Sequence, residues 1–287
     1  MRVILSANES VGYDCLKILL EEHQEVVGVI TDKTTPETKL KNARLKALAK
    51  QAGIEQYEPE NINDPAFLSK LQALQPDVQF NVAYVRLFKA PLLNLPKRGC
   101  INFHPGPLPR YGGSNGWVWA IINNEQEYGV VFHEMKERID SGDILAAVRF
   151  PIEKDETGLS LLIKCYKHGA ALFRKTLTDM VRGTAAPLPQ NLGERSYYFM
   201  RDIPFQGMID VTWSAAKIDR FVRALSFAPF PNPLSQPMIA AGGARLIVAK
   251  STVLEKRAAG QYRAGEVVDV AQDGIVMQTG DGAIQLR

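Results

Sequence analysis

Ile101-Asn102-Phe103-His104-Pro105-Gly106-Pro107-Leu108-Pro109-Arg110-Tyr111-Gly112-Gly113 opens as a short apolar strand and is stopped by proline. Along a strand, residues two apart face the same side, so Asn102 and His104 converge on one point. Pro105, Pro107 and Pro109 then fix the exit path, since each proline locks its own φ. Upstream, Val3–Leu5, Val26–Ile30 and Val78–Ala83 are further buried-strand runs, and they alternate with helical patterns over 11–22, 40–51 and 64–73. This βαβα order predicts a Rossmann-like, mostly parallel sheet covered by helices on both faces. Asn102 and His104 then lie at the C-terminal end of a parallel strand, where open α/β sheets hold ligands.

Downstream the pattern changes. Gly129–Met135 and Ile144–Pro151 are strand-like runs joined by a polar, Gly-containing loop, which suggests a hairpin-like excursion. A long helix follows from Leu159, with Leu162, Tyr166, Ala170, Phe173, Leu177 and Val181 at helical spacing and Gly183 as its stop. Residues 184–206 carry Pro187, Pro189, Gly193 and Pro204 without a period, which makes them a linker. A helix over Ser214–Leu225 and a Pro-rich loop over 229–237 come next. Short β-type runs at Met238–Ala240, Arg245–Val253, Gly265–Val270, Gly274–Thr279 and Ala283–Leu286 have the spacing of a small OB-like barrel. The expected domains are therefore 1–183, with a linker over 184–206, and 207–287.

Composition narrows the function classes. The chain has 287 residues, 46% apolar and 23% charged, as expected of a folded protein. Thirty-four basic against thirty-one acidic residues give +3, which leaves no strong nucleic-acid footprint. Cys15, Cys100 and Cys165 lack metal-type spacing, and His23, His104, His133 and His168 form no cluster in sequence. Neither a disulfide framework nor a metal site is expected, and a reducing compartment fits. Without a signal-peptide pattern or a membrane-length apolar run, the expectation is cytoplasmic, with no membrane partner.

An Asn amide can donate to an oxyanion, and a His can move a proton near neutral pH. The acid to complete such a set is available in Ile139-Asp140-Ser141-Gly142-Asp143. Turn chemistry alone also accounts for that loop, and a strand-end His often only bonds backbone.

Together these residues resemble the formyltransferase family that uses 10-formyltetrahydrofolate. That family includes glycinamide ribonucleotide transformylase, methionyl-tRNA formyltransferase and the amino-sugar formyltransferases. Its signature is Asn-x-His-Pro, then Leu-Pro and a basic residue, then an Asp in a Leu/Ile-Asp-x-Gly loop. Here the matches are Asn102-Phe103-His104-Pro105, Leu108-Pro109-Arg110 and Ile139-Asp140-Ser141-Gly142. The resemblance implies Asn102, His104 and Asp140 as the catalytic set, with Asp140 also touching the folate. It further implies that Arg86, Leu87 and Phe88, after the third buried strand, line the folate pocket; read alone, that segment is simply a strand end. Linker, helix and barrel follow in the order found in methionyl-tRNA formyltransferase and in the enzyme that modifies a nucleotide-linked aminoarabinose.

The implied reaction is attack of a neutral amine on the formyl carbon, with no metal. Asn102, with His104 if protonated, would stabilise the oxyanion, and Asp140 would hold His104 or a relay water; which group takes the amine proton first is not set by the sequence. For the acceptor, the stretch Thr31–Arg44 is basic but lacks the Gly of the tRNA enzymes' insertion. Glycinamide ribonucleotide is disfavoured too, because the first loop, Ser6-Ala7-Asn8-Glu9-Ser10, has a Glu where that enzyme's loop is Gly-rich for phosphate. The expected acceptor is thus a small-molecule or carrier-bound amine such as a nucleotide-linked amino sugar. Initiator methionyl-tRNA is the alternative, and tRNA is a partner not favoured. A folate-binding protein without turnover and a formyl-tetrahydrofolate hydrolase are rival readings. A Rossmann dehydrogenase is disfavoured by the absence of Gly-x-Gly-x-x-Gly after the first strand. Trp117 and Trp119 read as core or as plates for an acceptor ring, and His133 reads as structural. Oligomeric state is open, a homodimer being one arrangement the barrel would permit.

Overall fold

The computed structural model describes residues 1–33, 35–230, 232–254 and 262–287. Thr34, in the basic stretch, and Pro231, in the Pro-rich loop, lie outside the described residues. The chain forms two compact units that are not contiguous in sequence. One comprises 1–112, 129–149 and 164–196, the other 113–128, 150–163 and 197–287.

The first unit is built on a seven-stranded sheet. Its strands are β1 (Arg2–Ala7), β2 (Glu25–Ile30), β3 (Gln56–Tyr57), β4 (Val78–Val82), β5 (Cys100–His104), β7 (Glu127–Glu134) and β8 (Ile144–Pro151). The two-residue strand β6 (Gly112–Gly113) lies outside this sheet. The order is β3-β2-β1-β4-β5-β7-β8. β3, β2, β1, β4 and β5 run parallel, and β7 is antiparallel to β5. This is the mostly parallel sheet read from the alternating runs, and every residue of β4 is buried, as a central strand covered on both faces requires.

The helices are set by local chemistry. α1 (Glu9–Glu21) buries Val11, Cys15, Leu16, Ile18 and Leu19 against the sheet. α2 (Pro36–Gln51) starts four residues before the apolar pattern does. Thr35 and Thr38 form a reciprocal capping box there, each backbone N–H donating to the other's hydroxyl at 2.8 and 3.2 Å. α3 (Pro65–Ala73) is capped by Asp64, whose carboxylate accepts the Phe67 N–H at 3.0 Å. α4 (Ala90–Leu93) is a single turn.

α6 (Gly158–Arg182) ends at Gly183, which takes φ 71° as a helix stop should. Its buried stripe runs through Leu161, Cys165, Phe173, Leu177 and Met180. Phe173 and Leu177 are buried as expected, whereas Val181 is exposed and Met180, one residue earlier, is buried in its place. Phe173 meets Phe80 edge-on at 4.9 Å and Phe132 at 5.5 Å, and Phe132 also packs on Phe103 at 5.4 Å. These rings hold the helix to the face of β4, β5 and β7 opposite Asn102 and His104, since residues alternate along β5.

In the second unit, α5 (Gly116–Ile122) and α7 (Ala215–Ala224) accompany β9 (Tyr197–Tyr198) and the C-terminal strands. β10 (Met238–Ala241) and β11 (Ala244–Ile247) form a hairpin, and β12 (Ser251–Leu254), β13 (Val267–Ala271), β14 (Gly274–Gln278) and β15 (Ala283–Leu286) an antiparallel sheet in the order β12-β15-β14-β13. The run read as one strand over Arg245–Val253 is two. It breaks at Ala249 and Lys250, whose N–H groups turn to the Arg287 carbonyl.

Phe173 is fully buried, so Phe173→Ala should cost about 3–5 kcal/mol in urea unfolding, while Val181→Ala on the same helix should stay within about 0.5. Equal losses would contradict this placement of the helix.

Candidate active site

The register of three strands builds the site. Asn102 on β5 lies opposite Asn81 on β4 and opposite His133 on β7. Directly opposed residues share a face, so the three side chains form a row across the sheet. Asn81 Nδ2 donates to Asn102 Oδ1 at 2.7 Å, and Asn102 Nδ2 lies 3.0 Å from His133 Nε2. His133 Nδ1 lies 2.7 Å from the Glu134 carbonyl, which can only accept. Nδ1 therefore donates, and Nε2 accepts from Asn102. Asn102 is thereby clamped through both ends of its amide, with one N–H left over. His133, read from the sequence as structural, is part of this network. The signal that would have found it is the antiparallel pairing of β5 with β7, which a linear reading does not supply.

Two residues along β5, His104 is buried with its Nε2 2.8 Å from the Tyr111 carbonyl. By the same logic Nε2 donates, and the lone pair of the neutral ring sits on Nδ1. That nitrogen is 3.7 Å from Asp140 Oδ2, while Asp140 Oδ1 is 3.4 Å from His133 Nε2. One buried carboxylate thus faces two imidazoles, joining the Asn102–His104–Asp140 set expected from sequence. Burial pulls the His104 pKa below its ordinary 6.5, against the opposing pull of Asp140 and the Tyr111 carbonyl.

Glycines permit the close approaches. A Cβ on Gly106 would sit 2.6 Å from His104 Nε2 and 2.8 Å from the Tyr111 carbonyl, on top of their hydrogen bond. A Cβ on Gly142 would sit 2.0 Å from the Glu134 carbonyl, so the Gly of the Asp-x-Gly loop lets that loop close onto β7.

The segment after β4 leaves the sheet just beyond the Asn81–Asn102 pair. Arg86 Nε contacts Asp32 Oδ1 at 3.2 Å, and Leu87 is exposed. Asn63 braces the backbone on both sides, donating to the Leu87 carbonyl and accepting the Lys89 N–H, each at 2.8 Å. Phe88 turns inward and packs with Tyr84, Leu92 and Leu93 in the core. In the second unit, Trp119 stacks on Tyr198 at 4.8 Å, so one face of its ring is occupied.

Comparison with known proteins gives a consistent result. The family described as Formyl transferase matches residues 1–177, and Formyl transferase, C-terminal domain, matches 204–287. The methionyl-tRNA formyltransferase of Clostridioides difficile (strain 630) is 30% identical over 290 residues, covering 100% of this chain and 91% of that protein. The fold is similar to that of WlaRD, a sugar 3N-formyl transferase solved in the presence of dTDP and 5-N-formyl-THF. That match has a TM-score of 0.76 and 20% identity, and covers 100% of this chain and 97% of the other. An N-formyltransferase from Helicobacter canadensis, in complex with folinic acid and dTDP-3-aminofucose, aligns with a TM-score of 0.73 and 20% identity, over 100% and 99% of the two chains.

The lowered His104 pKa sets a direction for pH dependence. Between the folded value and 6.5 the unfolded chain binds the proton more readily, so this contribution to stability is complete above 6.5 and lost as pH falls below it. Urea titrations at pH 7.5 and 5.5 should show a larger fall for the wild type than for His104→Asn. Equal falls would contradict the burial of a neutral imidazole.

Proposed function

Because the chain belongs to the formyl transferase family, we propose that it moves the formyl group of 10-formyltetrahydrofolate to a primary amine through Asn102, His104 and Asp140. The observation that carries this reading is the remaining Asn102 N–H beside a buried His104–Asp140 pair. When bound, the folate supplies the activated formyl carbon. The residues present fit it: the apolar Val85 and Leu87 side chains are exposed beside the β4 exit, and the buried Asn81 Oδ1 has no protein partner. Arg86, Leu87 and the backbone of this loop would hold its head group, with Asp140 nearby. The Phe88 side chain supports the loop from beneath.

The chain's own groups then divide the work. Asn102 Nδ2 donates to the oxygen that gains charge as the amine adds. His104, neutral because it is buried, takes the amine proton at Nδ1. Asp140, 3.7 Å from that nitrogen, stabilises the imidazolium and supports return of the proton toward the leaving nitrogen. His133 and Asn81 keep the Asn102 amide from turning over.

For the acceptor, the full-length relatives reverse the order read from sequence. Methionyl initiator tRNA becomes the first choice, supported by 30% identity across 100% of the chain. A nucleotide-linked amino sugar is second, favoured by the near-neutral charge of +3. The domain division at 1–183, 184–206 and 207–287 is kept as part of this proposal and is supported by family matches that end at 177 and resume at 204. A cytoplasmic location agrees with three buried cysteines, none of them in a disulfide, and among the described residues no helix is long and apolar enough to cross a membrane.

Asn102→Ala should lower kcat about 10²–10³-fold, the loss expected for one oxyanion donor. His133→Leu should lose about tenfold or more through misplacement of Asn102, while His133→Gln, which keeps an acceptor, should recover most of it. Identical behaviour of the Leu and Gln variants would remove His133 from the mechanism. Consumption of 10-formyltetrahydrofolate should be followed in parallel with charged initiator tRNA and with nucleotide-linked amino sugars. Formylation of the tRNA is expected, and turnover on the sugars alone would restore the opposite order.

A further inference from the structure

The stretch whose irregular sequence reads as a linker holds both loops that carry the chemistry. Leu188 pairs with Ile144 through two backbone hydrogen bonds of 2.8 and 2.9 Å. Gln190 Nε2 donates to the carbonyls of Asp140 at 3.2 Å and Gly142 at 2.6 Å. Arg195 Nη2 donates to the Ile139 carbonyl at 3.0 Å. At the end of the segment the Ser196 hydroxyl accepts the Tyr111 N–H at 2.8 Å, and its carbonyl accepts the Gly112 N–H at 3.0 Å.

Two of the residues held in this way share a backbone feature. Asp140 has φ 53° and Tyr111 has φ 59°, both in the left-handed region that non-glycine residues avoid. Such conformations persist only where surrounding bonds over-determine them. Each also sets one side of His104. The Tyr111 carbonyl accepts from Nε2, and the Asp140 carboxylate faces Nδ1.

We propose that residues 188–196 form a positioning strap, in which Gln190 and Ser196 fix His104 through the backbones of Asp140 and Tyr111. Its catalytic consequence rests on the formyl-transfer reading, whereas its effect on the His104 ring does not. Gln190 works as a donor, so a side chain of similar length without an N–H leaves the Asp140 carbonyl unheld. Ser196 works as an acceptor, which Thr preserves and Ala removes.

The test uses the full-length protein carrying Gln190→Met, Gln190→Glu, Ser196→Ala or Ser196→Thr. Displacement of a reacting group by about 1 Å costs up to about 10²-fold. Gln190→Met, Gln190→Glu and Ser196→Ala are therefore expected to lower kcat about 10–100-fold, with KM for 10-formyltetrahydrofolate within about threefold. Ser196→Thr should stay close to the wild type. In parallel, the ring Nε2–H resonance of His104, assigned by its loss in His104→Asn, should persist in Ser196→Thr and be shifted or lost to exchange in Ser196→Ala. Variants that lose thermal stability but keep kcat, or a His104 resonance unmoved in Ser196→Ala, would overturn the proposal. If the wild type turned over no amine, the formyl-transfer reading would fail, and the resonance alone would decide the strap.

Discussion

The site depends on the register of β5 between a parallel neighbour, β4, and an antiparallel one, β7. Pairing sets Asn81, Asn102 and His133 abreast, and a slip of one residue in either ladder would send one of them to the opposite face. That face is not empty: Phe103 packs there on Phe132, and Phe132 on Phe173 of α6. Aromatic packing beneath the sheet therefore fixes the polar row above it. Gly169 sharpens the point, since a Cβ there would meet the Phe103 ring at 2.5 Å. The helix approaches as closely as a glycine allows, which presses the strand carrying Asn102 and His104 into one position.

Above the sheet the constraint is electrostatic. Asp140, His104 and His133 are all at most 6% exposed, so their polar atoms must find partners within the protein. Two imidazole nitrogens face the carboxylate, His104 Nδ1 at 3.7 Å and His133 Nε2 at 3.4 Å. His133 has its Nδ1–H committed to a carbonyl and its Nε2 to Asn102, so in the proposed mechanism proton uptake falls to His104 Nδ1. The carbonyl of Tyr111 enforces that assignment from the other side by requiring a donor at Nε2.

The parallel sheet could be read from period and order, because Val3–Leu5, Val26–Ile30 and Val78–Ala83 are apolar runs short enough to be strands and are separated by helical spacing. The Asn–x–His pair could be read because strand alternation is a local rule. What could not be read was whatever depended on pairing between distant segments. His133 looked like any strand residue until β7 lay beside β5, and Asn81 looked like part of an apolar strand. The α2 start was missed for a local reason, as its capping box uses Thr at both ends where Glu or Gln at the second is the stronger signal. The segment 188–196 looked structureless because its order comes from side-chain bonds and isolated backbone bonds to distant segments, which leave no period.

The acceptor question turns on what the fold can discriminate. Backbones that align at TM-scores of 0.73 and 0.76 with only 20% identity mark a scaffold shared across the family, so they say little about which amine arrives. Full-length identity of 30% says more, because it includes residues that do not set the fold. One local feature bears on both readings. Glu9 opens α1, its Oε2 accepts the Tyr166 hydroxyl at 2.6 Å, and its backbone N–H is taken by Asn42 at 2.9 Å. Burial and the Glu9 charge raise the Tyr166 pKa well above its ordinary value, so this phenol remains a donor and keeps the carboxylate in place. The Lys41 ammonium lies 3.8 Å from the other oxygen, Oε1, so the carboxylate in the first turn of α1 is held between a phenol and a cation. A fixed carboxylate in the first turn disfavours a phosphate at this helix end, whichever amine is the acceptor.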